Sequence, residues 1–253
     1  MLTAEFAGKR VWAKDVERER ACLCPGCRDP VILKRGRIVV AHFAHRPGSA
    51  ACAFAAGETL AHMEAKFKFH AALAARGFTA DVEVVFGEQR ADVAVWSHGN
   101  PFAFEFQRSP IGLDEINRRA WSYAAQGIAQ AWIPILKNGA NLYQYPVRSF
   151  ERYAHALHHG RLWLWDPAGK NFYRGHLTPF YCYVEPCSWS DEDGKECDAG
   201  GYFYQSKRWK VLTLAGPYSP ARVGIKRVWR KAWIARRYDL PACWIAELVG
   251  DDE

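Results

Sequence analysis

Asp92, Glu105 and Gln107 stand where three side chains could meet over a divalent cation. The first lies in Arg90-Ala91-Asp92-Val93 and the others in Glu105-Phe106-Gln107. Two carboxylates held close together repel, and one is driven to keep its proton unless a cation compensates them. Mg2+ suits such a pair, because it takes one or two carboxylates and completes its shell with waters and phosphate oxygens. Glu58, His62 and Lys66 recur every four residues, so on a helix they stack along one face. Soft ligands gather earlier in the chain, in Cys24-Pro25-Gly26-Cys27, His42-Phe43-Ala44-His45 and Cys52. A Cys-x2-Cys is the usual first half of a structural zinc site. Cys24, Cys27 and His45 are read as ligands of Zn2+, with either Cys52 or His42 as the fourth, and the metal would fold a segment too small for its own core.

The elements that must position these groups follow from hydrophobic periodicity. Residues 1 to about 20 read as two short strands, Thr3–Phe6 and Arg10–Lys14. Glu58 to Arg76 reads as a helix with an apolar stripe of Leu60, Met63, Phe67, Ala71 and Ala74, stopped by Gly77, with Glu58, His62 and Lys66 on another face. Thr79–Phe86 alternates as a strand. Ala91, Val93 and Val95 share one face of the next strand, and Phe102, Phe104 and Phe106 one face of the third. A two-residue loop at His98-Gly99 would set Val95 opposite Phe102, Val93 opposite Phe104 and Ala91 opposite Phe106. The same register sets Asp92 opposite Glu105, with Gln107 on that face. Leu113–Gln126 reads as a second helix and Ala129–Leu136 as a final strand. Taken alone, this acidic face is also what a solvated sheet looks like when its carboxylates pair with Arg90 or Arg108.

The fold expected is α/β: an N-terminal zinc-binding module over 1–56, an αβββαβ core over 57–137, and a basic, Trp-rich C-terminal region over 138–253. Within the last, Lys207, Arg208, Lys210, Arg227, Arg230, Lys231, Arg236 and Arg237 are interleaved with Trp209, Tyr218, Trp229 and Trp233, and no acid falls between 207 and 237. Cations that follow phosphates and rings that stack on unpaired bases suit single-stranded nucleic acid. An amphipathic helix near Val223–Arg236 with buried aromatics fits the same residues. Cys182, Cys187, Cys197 and Cys243 have irregular spacing and read as buried thiols, with a second zinc site as the alternative, and Ser190–Asp198 reads as an exposed acidic loop.

The whole chain of 253 residues carries 34 Lys and Arg against 27 Asp and Glu, a net charge of +7, which favours a polyanionic partner. No apolar run is long enough for a membrane span, and the first 20 residues lack the pattern of a signal peptide. The cytoplasm is therefore the expected compartment, where clustered cysteines point to metal more than to disulfides.

These motifs resemble those of the PD-(D/E)XK nuclease superfamily, and more closely those of the competence protein CoiA-like family. The residues that carry the resemblance are Cys24-Pro25-Gly26-Cys27, His42-Phe43-Ala44-His45, the Glu58/His62/Lys66 series, Glu105-Phe106-Gln107-Arg108-Ser109-Pro110 and a downstream Arg118…Tyr123, over roughly residues 20–137. The resemblance implies a restriction-endonuclease-like core and a metal-dependent deoxyribonuclease. Asp92 and Glu105 would hold Mg2+ or Mn2+, Gln107 would orient the attacking water, and Lys66 would stabilise the phosphoryl oxygens. Glu58 and His62 would assist at the cation. Gln107 occupies the position of the superfamily's lysine and carries no charge. That difference keeps a second reading in view, a non-catalytic single-strand-binding recombination factor on a nuclease fold. DNA, single-stranded DNA included, and recombination proteins are the partners implied, in recombination, DNA uptake or defence against foreign DNA.

Overall fold

The computed structural model describes residues 1–47, 52, 54, 58–235 and 238–250. The chain opens with β1 (Thr3–Phe6), β2 (Lys9–Trp12), β3 (Cys22–Leu23), β4 (Pro30–Lys34) and β5 (His42–His45). They form an antiparallel sheet in the order β2-β1-β3-β4-β5. Its core is small, built from Met1, Ala4, Ala13, Val16, Cys22, Cys24 and Phe43. So few apolar side chains leave the sheet in need of another staple.

Next come α1 (Leu60–Ala75), β6 (Thr79–Phe86), β7 (Gln89–Ser97), β8 (Asn100–Gln107), α2 (Leu113–Ala125) and β9 (Ala129–Pro134), the predicted order of elements. The β7–β8 connection is the expected His98-Gly99 loop. Both residues have positive φ (49° and 75°), as a two-residue turn matched to strand twist requires. Val95 faces Phe102 and Val93 faces Phe104. Pairing stops there, so the expected pairing of Ala91 with Phe106 is not made. Instead the Asp92 carboxylate reaches across and accepts the Phe106 N–H at 2.8 Å. A side chain takes over from the ladder, and the two strands open where the acids sit.

Helix α1 differs from the expected helix in two ways. It begins after Thr59, whose hydroxyl caps the His62 N–H at 3.3 Å, so Glu58 lies just outside it. Its buried face is Met63, Lys66, Phe69 and Leu73, while Leu60 is exposed. Lys66 thus belongs to the packed face and not to a solvated one. Phe69 anchors that face, with ring centroids 5.0 Å from Phe104 and 5.2 Å from Phe172.

The remaining elements are β10 (Tyr145–Pro146), α3 (Ser149–Leu157), β11 (Leu162–Asp166), β12 (Asn171–Val184), β13 (Cys187–Ser190), β14 (Glu196–Ala199), β15 (Tyr202–Tyr218), β16 (Gly224–Arg230), β17 (Trp233–Ala235), β18 (Tyr238–Leu240) and β19 (Cys243–Val249). The central sheet runs β16-β19-β9-β8-β7-β6, with β19 parallel to β9, so residues 224–249 return to complete the sheet begun at residue 79. Strands β16 and β17 replace, over its described residues, the helix considered near 223–236. The reason is tertiary: β19 is buried along most of its length and needs a partner on its outer edge, which β16 supplies. A second sheet, β10-β15-β12-β11, packs Trp163, Trp165 and Phe172 into the same core as Phe69. The acidic stretch 190–198 joins and pairs within the exposed β13–β14 hairpin and is not a simple loop. Of the later cysteines only Cys243 is buried, and Cys187 is exposed.

Candidate functional site

Strands β7 and β8, helix α1 and helix α2 converge on a cavity of about 440 Å3 lined by Glu58, His62, Asp92, Glu105, Gln107 and Arg119, among others. Asp92 and Glu105 are both buried, at 6% and 2% exposure, and both face it. Buried carboxylates are tolerated only when paired, and each has its own set of partners.

Asp92 lies 2.8 Å from His62 Nε2, accepts the Phe106 N–H, and has the Lys66 ammonium at 3.7 Å. Burial pushes its pKa up, but His62, Lys66 and the Phe106 amide outweigh burial and hold it well below the usual carboxylate range. Lys66 is fully buried and also pairs with Glu58 and, at 2.8 Å, with Glu83. Glu83 in turn accepts from the Leu2 and Thr3 amides at 2.9 and 3.1 Å and from the Thr3 hydroxyl at 2.7 Å. Its φ of 54° turns it out of regular strand geometry, a departure that costs about 1–3 kcal/mol and that these contacts sustain. Glu58 additionally pairs with the Met1 amine at 2.8 Å.

Glu105 belongs to a separate set. Its Oε1 accepts from the Tyr123 hydroxyl at 2.5 Å and lies 2.6 Å from Arg119. Burial raises its pKa above the ordinary value, with Arg119 and Tyr123 pulling it back. The cation partner is Arg119, one residue beyond the Arg118 that sequence singles out. Arg118 instead pairs with Glu115 on the exposed side of α2. The signal was present in the sequence: Arg119 and Tyr123 are four apart and share a helix face. Glu83 left a fainter signal, an acid set between Val82 and Val84 in β6.

Ligand atoms of Glu58, His62 and Asp92 all lie within 4.8 Å of one another, and Glu105 is not in that group. Glu105 faces the same cavity from the neighbouring strand. Mixed oxygen and imidazole donors fit a divalent ion of the Mn2+ kind. Lys66 is fully buried behind the cavity wall, where it balances the carboxylates. Gln107 lines the cavity, but its amide donates to the Ser109 carbonyl at 2.6 Å.

In the N-terminal sheet, Cys24, Cys27, His45 and Cys52 bring their ligand atoms within 4.8 Å of one another. Cys24 and Cys52 sulfurs are 3.7 Å apart, close to the roughly 3.8 Å that two thiolates take around a tetrahedral zinc at about 2.3 Å. Cys27 Sγ is 3.2 Å from His45 Nε2. The amides of Gly26 and Phe54 point at the Cys24 and Cys52 sulfurs, each at 3.4 Å. The donor set therefore fits zinc. His42 stands outside it, three residues from His45 and so on the opposite face of β5, with Nδ1 on the Val40 carbonyl at 2.9 Å.

The C-terminal cations divide. Lys207, Arg208 and Lys231 are exposed, and Lys210 is half-buried in β15. Arg230 is buried and donates to the Leu157 carbonyl at 3.0 Å, so it is a structural residue and not a nucleic-acid contact. Arg227 donates to the Gly127 carbonyl at 2.8 Å and lies over the Trp244 ring at 4.1 Å, likewise a packing role. Arg236 and Arg237 lie outside the described residues.

An α/β core whose carboxylates face a cavity is thus joined to a small sheet carrying a Cys3His cluster that could hold a metal ion. Residues 58–182 match the family model described as competence protein CoiA, nuclease-like domain, and residues 8–55 match competence protein CoiA, N-terminal domain. The chain belongs to the CoiA-like family. It is similar to Competence protein CoiA of Bacillus subtilis (strain 168), 26% identical over 171 residues that cover 65% of this chain and 46% of that relative's length. No solved structure matches it. No described helix is long and apolar enough to cross a membrane.

Proposed function

We propose that this chain is a metal-dependent DNA nuclease of the PD-(D/E)XK kind, hydrolysing phosphodiester bonds during recombination or the handling of foreign DNA. The observation that carries the reading is the gathering of Glu58, His62 and Asp92 within 4.8 Å at the wall of a cavity that Glu105 also faces. The match to a nuclease-like family domain and a relative named for competence agree with it. Asp92, His62 and Glu58 would hold Mg2+ or Mn2+, which supplies a Lewis acid and makes water a nucleophile near neutral pH.

The chain's own residues do the rest. Lys66 and the Phe106 amide keep Asp92 ionised and fixed. Glu105, poised by Arg119 and Tyr123 and raised in pKa, is the group able to accept a proton from the attacking water. Arg108, at the same cavity, offers charge to the phosphate. Lys207, Arg208, Lys210 and Lys231 would add contacts to the DNA backbone, and Zn2+ would hold the N-terminal sheet. The reduced thiols of that cluster suit the cytoplasm.

One observation favours the second reading, a DNA-binding recombination factor that does not cut: Gln107 is tied to Ser109 and Lys66 is buried, so the position of the usual catalytic lysine is unfilled. Cleavage of single- and double-stranded DNA with Mg2+ or Mn2+, by the unaltered protein and by Asp92→Ala, decides between them. Metal-dependent cleavage lost in the variant supports the nuclease. Binding without cleavage by either supports the factor.

A further inference from the structure

Three cavities lie end to end across the junction of the N-terminal sheet and the core. The one holding Asp92 shares Phe54, Glu58 and Thr59 with a second, and the second shares Lys34, His42 and Leu60 with a third, which adds Arg18, Arg35 and Val39. Shared walls make them one groove, running from the acidic site out over the zinc-binding sheet.

The sheet's pleat explains the lining of the outer cavity. Phe43 and His45 face inward, to the small core and the Cys3His cluster, so His42 must face outward. Lys34 is its cross-strand partner and shares that outer face. Among the described residues neither Lys34, Arg18 nor Arg35 has a carboxylate partner. Arg35 is steadied by the Val16 carbonyl at 2.8 Å and keeps its charge beside the groove. Leu60 is 51% exposed and Val39 37%, so apolar surface alternates with the cations. The N-terminus of α1, capped by Thr59, opens at the junction of the first two cavities, where its free amides favour an anion.

We propose that the zinc-binding sheet guides a single nucleic-acid strand into the Asp92 cavity, its phosphates following Arg18, Arg35 and Lys34 and its bases resting on Val39, His42 and Leu60. Cations beside apolar and ring surfaces recognise unpaired bases, which a duplex does not offer. The idea rests on the nuclease reading only for what happens at the groove's end. It also gives His42 a role that zinc does not.

The test is binding of labelled single strands of about 4 and about 16 nucleotides, without added Mg2+ or Mn2+, across a salt series. The unaltered protein is expected to bind the longer strand at least about tenfold more tightly. In Arg18→Glu/Lys34→Glu that gain disappears, and the slope of log affinity against log salt falls by about 1.4, two phosphate contacts at about 0.7 each. Lys34→Gln, a milder surface change, loses part of the gain. Equal binding of both lengths by the unaltered protein, or an unchanged gain in the folded double variant, overturns the proposal. A matching duplex bound as tightly as the single strand overturns the assignment to unpaired bases. Cleavage of the short strand reports separately on the catalytic reading: length-dependent binding without it removes the nuclease and leaves the guide.

Discussion

Lys66 Nζ donates to Glu83 Oε1 at 2.8 Å, and neither side chain has any solvent exposure. The pair ties α1 to β6 directly behind Asp92. Removing one partner of a buried ion pair leaves an uncompensated charge and costs about 3–5 kcal/mol. Lys66→Met should lower unfolding stability by that order in a denaturant titration, with loss of activity following from the displaced Asp92. A stable Lys66→Met protein that has lost cleavage would instead place the lysine in direct contact with the substrate.

The same cluster sets the response to acid. Glu83 and Asp92 both have folded-state pKa values well below their ordinary ones; burial opposes this, and Lys66 for Glu83, and His62 with Lys66 for Asp92, overcome it. A depressed carboxylate contributes stability that is complete above its unfolded pKa, about 4, and is lost as pH falls through the folded value. The unaltered protein should therefore keep its fold below pH 4 as far as these groups decide it. Lys66→Met should move the acid unfolding midpoint upward. Circular dichroism against pH measures both.

Glu105 has the opposite sign. Burial raises its pKa, while Arg119 lowers it. If its ionised form is needed, activity should fall on the acid side through a pKa above 4.5. Arg119→Gln should shift that limb further up, and Tyr123→Phe should shift it in the same direction. A limb unmoved by either change would show that Glu105 does not titrate in the reaction.

How far the sequence anticipated this site depends on the reach of each contact. The β7–β8 hairpin was legible because two apolar faces and a two-residue turn fix one register, and register alone brings Asp92 and Glu105 to one side. The Cys3His cluster was legible as spacing, but the choice between Cys52 and His42 needed the pleat of β5. Lys66 was read as a phosphate contact because nothing local distinguishes a buried lysine. Its partners lie at 58, 83 and 92 and meet it only after folding. For the same reason Arg227 and Arg230 looked like DNA contacts: the Gly127 and Leu157 carbonyls they serve are far away in the chain. The return of β19 to β9, a pairing of Ile245 with Gln130, is non-local and had no sequence signal.

The Cys3His geometry predicts which substitutions release zinc. Cys52→Ser should lose the metal in elemental analysis and destabilise the N-terminal sheet, whose core is too small to stand without it. His42→Ala should retain zinc, because its ring is turned away from the cluster. Zinc lost from His42→Ala and kept in Cys52→Ser would reverse the ligand assignment.

The donor atoms around Asp92 predict a metal preference. Carboxylates alone would suit Mg2+, but an imidazole at 2.8 Å from Asp92 adds a softer nitrogen, and Mn2+ accepts such a mixed shell more readily. Cleavage should be faster with Mn2+ than with Mg2+. His62→Ala should reduce Mn2+-supported activity by at least about tenfold, the cost of disturbing even an outer partner of a metal, and should narrow the difference between the two ions. If His62 only orients Asp92, as its hydrogen bond allows, both ions lose activity equally and their ratio stays fixed. That ratio, measured across a metal titration, separates a ligand from a positioning residue.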